Sequence, residues 1–277
     1  MFNARPFLSN IPTTGSGRTA CGAFGRRGRP LGGGQGYTDR PPSAQPIRHL
    51  SGLLEALAKA RSGDSVTIAG DAVIECTERI YIEGIVLKLP GGVTLASDRG
   101  FKGSPGGLIR SDSLGTRPLI QVTGTNARVS GLRLQGPNPR RCLEHHDRAF
   151  KTEGGHEYYY RFPVSVGIEA EHSGLRVDNC ELAGWSHSAI HLVGGRDHLV
   201  QNSFIHHNQY QGLGYGVSHD RATSLIEGNL FNSSRHSIAG TGRSGSGYEA
   251  RHNVEMGRTL SHCFDMHGGR DRKDGTN

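Results

Sequence analysis

The chain has no run of about 18 apolar residues, no apolar stretch near its first residues and no Cys-x-x-Cys pair. The first absence excludes a membrane-spanning helix. The second leaves no recognisable secretory signal, so the place where the protein works stays open. The third removes metal-type cysteine spacing. The five cysteines, Cys21, Cys76, Cys142, Cys180 and Cys263, are odd in number and scattered, as buried thiols are. Apolar residues make up only 34% of 277, whereas 42 are glycine. That combination disfavours a helical bundle and favours many short strands joined by turns.

The formal charge of +7 invites a nucleic-acid reading, but the charge is not spread evenly. Residues 1–48 hold seven arginines and a single acid, Asp39, so the remainder carries only about +1. A nearly neutral body gives no basic face for nucleic acid. The segment 1–47 is rich in Gly, Pro and Arg without apolar periodicity, which predicts a disordered tail preceding a domain over 48–277.

Within that domain, "LSGLLEALAKAR" (50–61) sets Leu50, Leu53, Leu54 and Leu57 on one helical face, and "SGD" ends the pattern. A short N-terminal capping helix is expected there. The later segments are brief, β-branched and repetitive. "LRVDNCEL", "HLVQNSFI", "LIEGNLFN" and "YEARHNVE" align on Asn179, Asn202, Asn229 and Asn253, at separations of 23, 27 and 24 residues. A period near 25 made of strand, turn, strand and turn predicts one coil of a parallel β solenoid, with the four asparagines stacked as a ladder. Ile190, Val217, Ile238 and Phe264 are the expected inward residues of the next strand in each coil. On either side of that strand, "HHNQYQGLG" and "TGRSGSG" lengthen the coils, as the walls of a groove do. The stretch 137–162, with Tyr158, Tyr159 and Tyr160, is an insertion able to flank the groove. The end, "DRKDGTN", follows a strand without a polar cap, so a partner or further segment is expected to cover it.

The coils, and the stretch "YGVSHDR" within them, resemble the right-handed parallel β-helix of pectate lyases, other polysaccharide lyases and mannuronan C5-epimerases, from about residue 50 onward. Tyr215, Gly216, His219, Asp220 and Arg221 match the epimerase signature Tyr-Gly-x-Asp-Pro-His-Asp-Arg; Ser218 stands where that signature has Asp-Pro. The resemblance implies an all-β right-handed parallel β-helix and an enzyme that acts on an acidic, uronate-containing polysaccharide.

Such chemistry removes the C5 proton beside a carboxylate, so it needs a cation on the carboxylate, a base at C5 and an acid. The expected set is His219 as base, Tyr215 as acid, Arg221 or Arg235 as the cation, and Asp220 to orient the histidine. Arg235, His236, Arg243, Tyr248, Asp265 and His267, from the following coils, are the candidate substrate contacts. Strict alternation from Val217, however, sends His219 inward, so the assignment requires the strand to have turned by that point. A His219 buried in the coil would favour a binding module instead. A glycoside hydrolase using Asp220 and Asp265 is a third reading, provided the two share a face. No cofactor is required. A divalent cation on His191, Asp265 and His267 suits imidazole and carboxylate chemistry, but the spacing assigns no metal ligand.

Overall fold

Leu53 and Leu57 are buried on one side of helix α1 (Leu50–Lys59), which packs over the first strands of two sheets and caps the solenoid. His49 accepts a hydrogen bond from Gly52 N at its start. Ile47 bridges to Ile68, covering the outer edge of the first sheet, an edge that would otherwise offer unpaired backbone groups. The computed structural model describes residues 28–39, 45–137, 139–209, 212–257, 259 and 261–267. Among these, three parallel sheets of seven strands each form an all-β parallel β-helix.

The first sheet runs from Ser65–Thr67 to Gly247–Arg251 and the second from Val73–Glu75 to Val254–Glu255. The third contains Leu87–Leu89, Ile120–Val122, Val166–Ala170, Ser188–Leu192, Tyr215–His219, His236–Gly240 and Phe264–Met266. Parallel register stacks like on like. Val129, Val177, Val200 and Ile226 form one buried column, and Leu134, Leu182, Ile205 and Phe231 a second. Ile168, Ile190, Val217 and Ile238 form the third, so the expected inward residues Ile190, Val217 and Ile238 line the core, whereas Phe264, next in register, is half-exposed on the last described third-sheet strand.

The asparagine ladder needs correcting by one residue. Strand register aligns Asn179 with Asn202, Gly228 and His252, all of them at positive φ in the tight corner between the first and second sheets. Asn229 and Asn253 belong to the next, inward column, above Cys180 and Ser203. There the amides do form a ladder. Asn229 N and Nδ2 both donate to Asn253 Oδ1 at 3.0 Å, Ser203 N donates to Asn229 Oδ1 at 2.9 Å, and Cys180 N donates to Ser203 Oγ at 3.1 Å. Each inward side chain thus satisfies the corner amide of the preceding coil, which has no strand partner.

Asn179 and Asn202 have a different task. Gly34 N donates to Asn179 Oδ1 at 2.7 Å, and Asn202 Nδ2 donates to Pro30 O at 3.0 Å. The expected disordered tail is therefore corrected over 28–39, which lies against this corner with Leu31 and Tyr37 buried. Residues 1–27 and 40–44 lie outside the described residues. Gly33, at φ +73°, fits because a Cβ there would come within 2.6 Å of Asn179 Oδ1. Tyr37 OH donates to the fully buried Asp178 at 2.6 Å, while Ser130, Arg128 and Arg176 complete the partners of that carboxylate. Asp39 pairs with Arg29, Arg128 and Arg176.

The insertion is not a loop. It forms helices α3 (Pro139–Thr152) and α4 (Gly155–Tyr159), between the second- and third-sheet strands of one coil. Helix α2 (Thr77–Glu83) occupies an earlier coil. Residues 268–277, where a covering partner or segment was expected, lie outside the described residues.

Two substitutions test these contacts. Asn229→Leu should cost about 1–3 kcal/mol in urea unfolding, because it strands the Ser203 amide and the partners of Asn253. Tyr37→Phe should cost about 1–3 kcal/mol by removing a donor from buried Asp178. An unchanged urea midpoint for Tyr37→Phe would mean that residues 28–39 are not docked in solution.

Candidate functional site

The residues of Tyr215–Arg221 do not converge on one point. Tyr215 opens its strand and His219 closes it, about 13 Å further along extended chain. His219 is 1% exposed and points into the coil. Its Nδ1 donates to Ala239 O at 2.9 Å and its Nε2 accepts from Ser224 Oγ at 2.7 Å. Burial pushes its pKa down to about 4, so the ring is neutral and both nitrogens are occupied. His219 is thus a structural residue at the corner between the third and first sheets, and the expected role as base is corrected. Alternation from Val217 decided its direction.

Asp220 and Arg221 lie in that same corner. Arg243 Nη1 meets Asp220 Oδ2 at 2.9 Å, and Thr241 Oγ1 donates to Asp220 Oδ1 at 3.1 Å. Arg221, at φ +55°, donates its backbone N–H to Ser246 Oγ, and its side chain is largely exposed. Arg243 therefore braces a turn. Tyr248, on the first sheet, packs its ring 5.5 Å from that of His219. Asp220 and Asp265 stand two coils and two residues apart, about 12 Å in backbone terms, and engage different partners. They do not form the carboxylate pair that hydrolysis requires.

The remaining candidates gather on the outward face of the third sheet, Tyr215, Arg235 and His236 near the starts of their strands and Asp265 and His267 towards the end of the last. Rings meet from coil to coil along this face, His187 edge-on to Tyr215 and the others stacked. His187 is 5.7 Å from Tyr215, Tyr215 is 5.6 Å from His236, and His236 is 5.9 Å from His262. Arg235 lies beside the Tyr215 phenol and donates to Gly212 O at 2.6 Å. Burial raises the pKa of Tyr215 although Arg235 opposes it, so the phenol keeps its proton. Tyr160, just beyond α4, donates to the same Gly212 carbonyl at 3.2 Å. The helical insertion and the enlarged turn before Tyr215 thus wall one side of the face, while Thr241, Arg243 and Ser246 build the turn on the other. A cavity of about 460 Å³, lined by Tyr158, Tyr159, Phe162 and His145, lies under the insertion.

No known family model, curated protein or solved structure matches the chain.

A divalent cation on His191, Asp265 and His267, which the sequence allows without assigning, does not fit the fold. His191 sits three coils from Asp265, about 14 Å away, and pairs instead with Glu169 at 3.4 Å. His236 takes its place. Asp265 Oδ2 lies 3.2 Å from His267 Nε2 and 3.9 Å from His236 Nε2, and the three ligand atoms fall within 4.8 Å of one another. A cluster able to hold a metal ion is therefore present. Two residues of this face, Glu169 and His187, escaped the sequence reading, whereas Tyr160 was expected there only as part of the flanking insertion. Glu169 could have been found by aligning His191 with the preceding coil. Tyr160 reaches the face only through the path of the insertion.

The buried histidines set a pH dependence. His219 titrates at about 4 and His187 at about 3 in the folded chain, against about 6.5 when unfolded. The unfolded state takes up these protons first as pH falls. Stability should therefore be full above about pH 6.5 and drop between pH 6.5 and 4, by up to about 1.4 kcal/mol per pH unit for each ring. Urea unfolding at pH 7, 6 and 5 measures this, and His219→Gln should flatten the slope. A flat profile in the parent protein would contradict the burial of His219 and the partial burial of His187.

Proposed function

We propose that the protein acts on an acidic, uronate-containing polysaccharide laid across the outward face of the third sheet. The observation that carries this reading is the juxtaposition of the Arg235 guanidinium with the protonated phenol of Tyr215 on a walled face. Deprotonating C5 of a uronate builds negative charge next to its carboxylate, so a fixed cation lowers the barrier and a nearby acid completes the exchange. Arg235 supplies the cation and Tyr215 the acid. The base is His191, whose Nδ1 is oriented by Glu169 at 3.4 Å and whose ring lies 4.7 Å from that of His187, the neighbour of Tyr215. Protonation of C5 from the opposite face gives epimerisation, and protonation of the leaving O4 gives β-elimination. The resemblance to pectate lyases and C5-epimerases supports the same substrate class, although the chemistry now rests on the start of the Tyr215 strand and not on its end.

A second reading, a polysaccharide-binding solenoid, is favoured by the inward turn of His219 and the engagement of Asp220 with Arg243. Incubation with alginate, pectin and glycosaminoglycans separates the two. Enzymatic action appears as an ultraviolet-absorbing unsaturated product or a changed uronate ratio. Tyr215→Phe should abolish turnover while leaving binding within about twofold, because the acid acts in the transition state. Arg235→Gln should weaken both, and His219→Gln neither at pH 7. A polymer that binds but is never altered would select the binding module, and the absence of binding to any acidic polymer would refute both readings.

A further inference from the structure

Three histidine and aspartate side chains of the last two described third-sheet strands are arranged in a way that neither the packing of the coil nor the proton-transfer set explains. His236 is 1% exposed, yet its Nε2 has no hydrogen-bond partner among the described residues. An orphaned polar atom at that depth costs free energy unless something satisfies it. The other ring nitrogen is accounted for. Nδ1 lies 2.7 Å from His262 O, and a carbonyl can only accept, so Nδ1 carries the proton and Nε2 the lone pair. This is the tautomer and the backbone anchor that metal-binding histidines use, with the second nitrogen fixing the direction of the first.

The lone pair points towards Asp265 and His267. Ligands about 2.1 Å from a tetrahedral ion stand about 3.4 Å apart. His267 Nε2 and Asp265 Oδ2, at 3.2 Å, already match that spacing. His236 Nε2 and Asp265 Oδ2, at 3.9 Å, need to close by about half an ångström, well within the reach of a side chain near the surface. Asp265 and His267 are partly exposed, so an ion has a way in.

We propose that His236 Nε2, Asp265 and His267 Nε2 bind one divalent transition-metal ion, zinc or a similar borderline cation. Two imidazoles with one carboxylate match that class, whereas calcium prefers six or more oxygen ligands and finds one carboxylate here. Three protein ligands leave a coordination position open, as in catalytic zinc sites and not in closed structural ones. His262, with Nδ1 at 4.0 Å from Asp265 Oδ2 and its side chain mostly exposed, orients His236 through its carbonyl. The ion would sit next to the stacked rings of Tyr215 and His236 and so present positive charge to the same face as Arg235. The site itself does not depend on the polysaccharide reading.

The full chain, stripped of metal with a chelator, is titrated with Co²⁺ and Zn²⁺ in the absence of any polymer. One Co²⁺ per chain with a visible ligand-field band is expected, with Zn²⁺ displacing it and millimolar Ca²⁺ not. Asp265→Asn and His267→Ala should each weaken binding by about 10- to 100-fold and shift or abolish the band. Both positions are partly exposed, so the variants should fold even where His236→Ala does not. Tyr215→Phe, which removes no ligand, should bind Co²⁺ like the parent. If Co²⁺ does not bind, or binds with the same affinity and spectrum in both ligand variants, the proposal is overturned. Because no polymer is present, that outcome leaves the proton-transfer reading to be judged on its own assay.

Discussion

Parallel strands stacked about 4.8 Å apart put each residue directly above its counterpart in the coil below, and every other feature of this protein follows from that constraint. A side chain inside a column has only its neighbours above and below to satisfy it. Apolar residues meet the requirement by packing, as Ile168, Ile190, Val217 and Ile238 do. A polar residue must find its partner in the next coil. Asn229 does so by accepting from Ser203 N and donating to Asn253 Oδ1. His219 does so by bonding to Ala239 O, the carbonyl of the coil beyond it, and to Ser224 on its own coil. The same rule that makes the solenoid regular thus draws a histidine out of any surface role.

On the outward side of the third sheet the stacking acts on groups that are not enclosed. His187 meets Tyr215 edge-on, and Tyr215, His236 and His262 lie ring on ring, each pair at under 6 Å. Imidazoles at that spacing cannot all be protonated without repelling one another, and burial pushes His187 and His236 further towards the neutral form. Neutral rings retain a lone pair. The column therefore favours groups that bind a cation or accept a proton, and Arg235 and the Glu169–His191 pair place opposite charges close by.

Repeats, inward columns and helix α1 were legible because each rests on periodicity. The ladder slipped because asparagine serves two adjacent corner positions for different reasons. Asn179 and Asn202 tolerate positive φ, while Asn229 and Asn253 bridge backbone amides. Counting by residue type merges the two positions, and only the strand register separates them. The docked segment 28–39 left almost no trace, since it is held by backbone groups, by arginines around Asp39 and by two isolated apolar side chains, Leu31 and Tyr37. No periodicity arises from such contacts. Helix α3, with "LEHHDR" at its centre, is mostly polar and so resembles a surface loop in composition. The residues of "YGVSHDR" do not converge for another reason, because a linear motif counts neighbours in sequence whereas a strand sends them alternately to opposite faces.

Two aspartates, one buried and one half-buried, separate a structural carboxylate from one open to a ligand. Asp178, fully enclosed at the first-sheet corner, is met by Tyr37, Ser130, Arg128 and Arg176, so each oxygen is held and nothing is left to bind. Asp265, partly open on the third sheet, has imidazole nitrogens at 3.2, 3.9 and 4.0 Å, one of them the unpartnered Nε2 of His236. A carboxylate surrounded by satisfied donors stabilises the fold. One beside imidazole nitrogens, among them the unpartnered Nε2 of His236, leaves room for a cation between them. The first arrangement closes a corner of the solenoid, and the second leaves a carboxylate and an imidazole lone pair able to meet a cation.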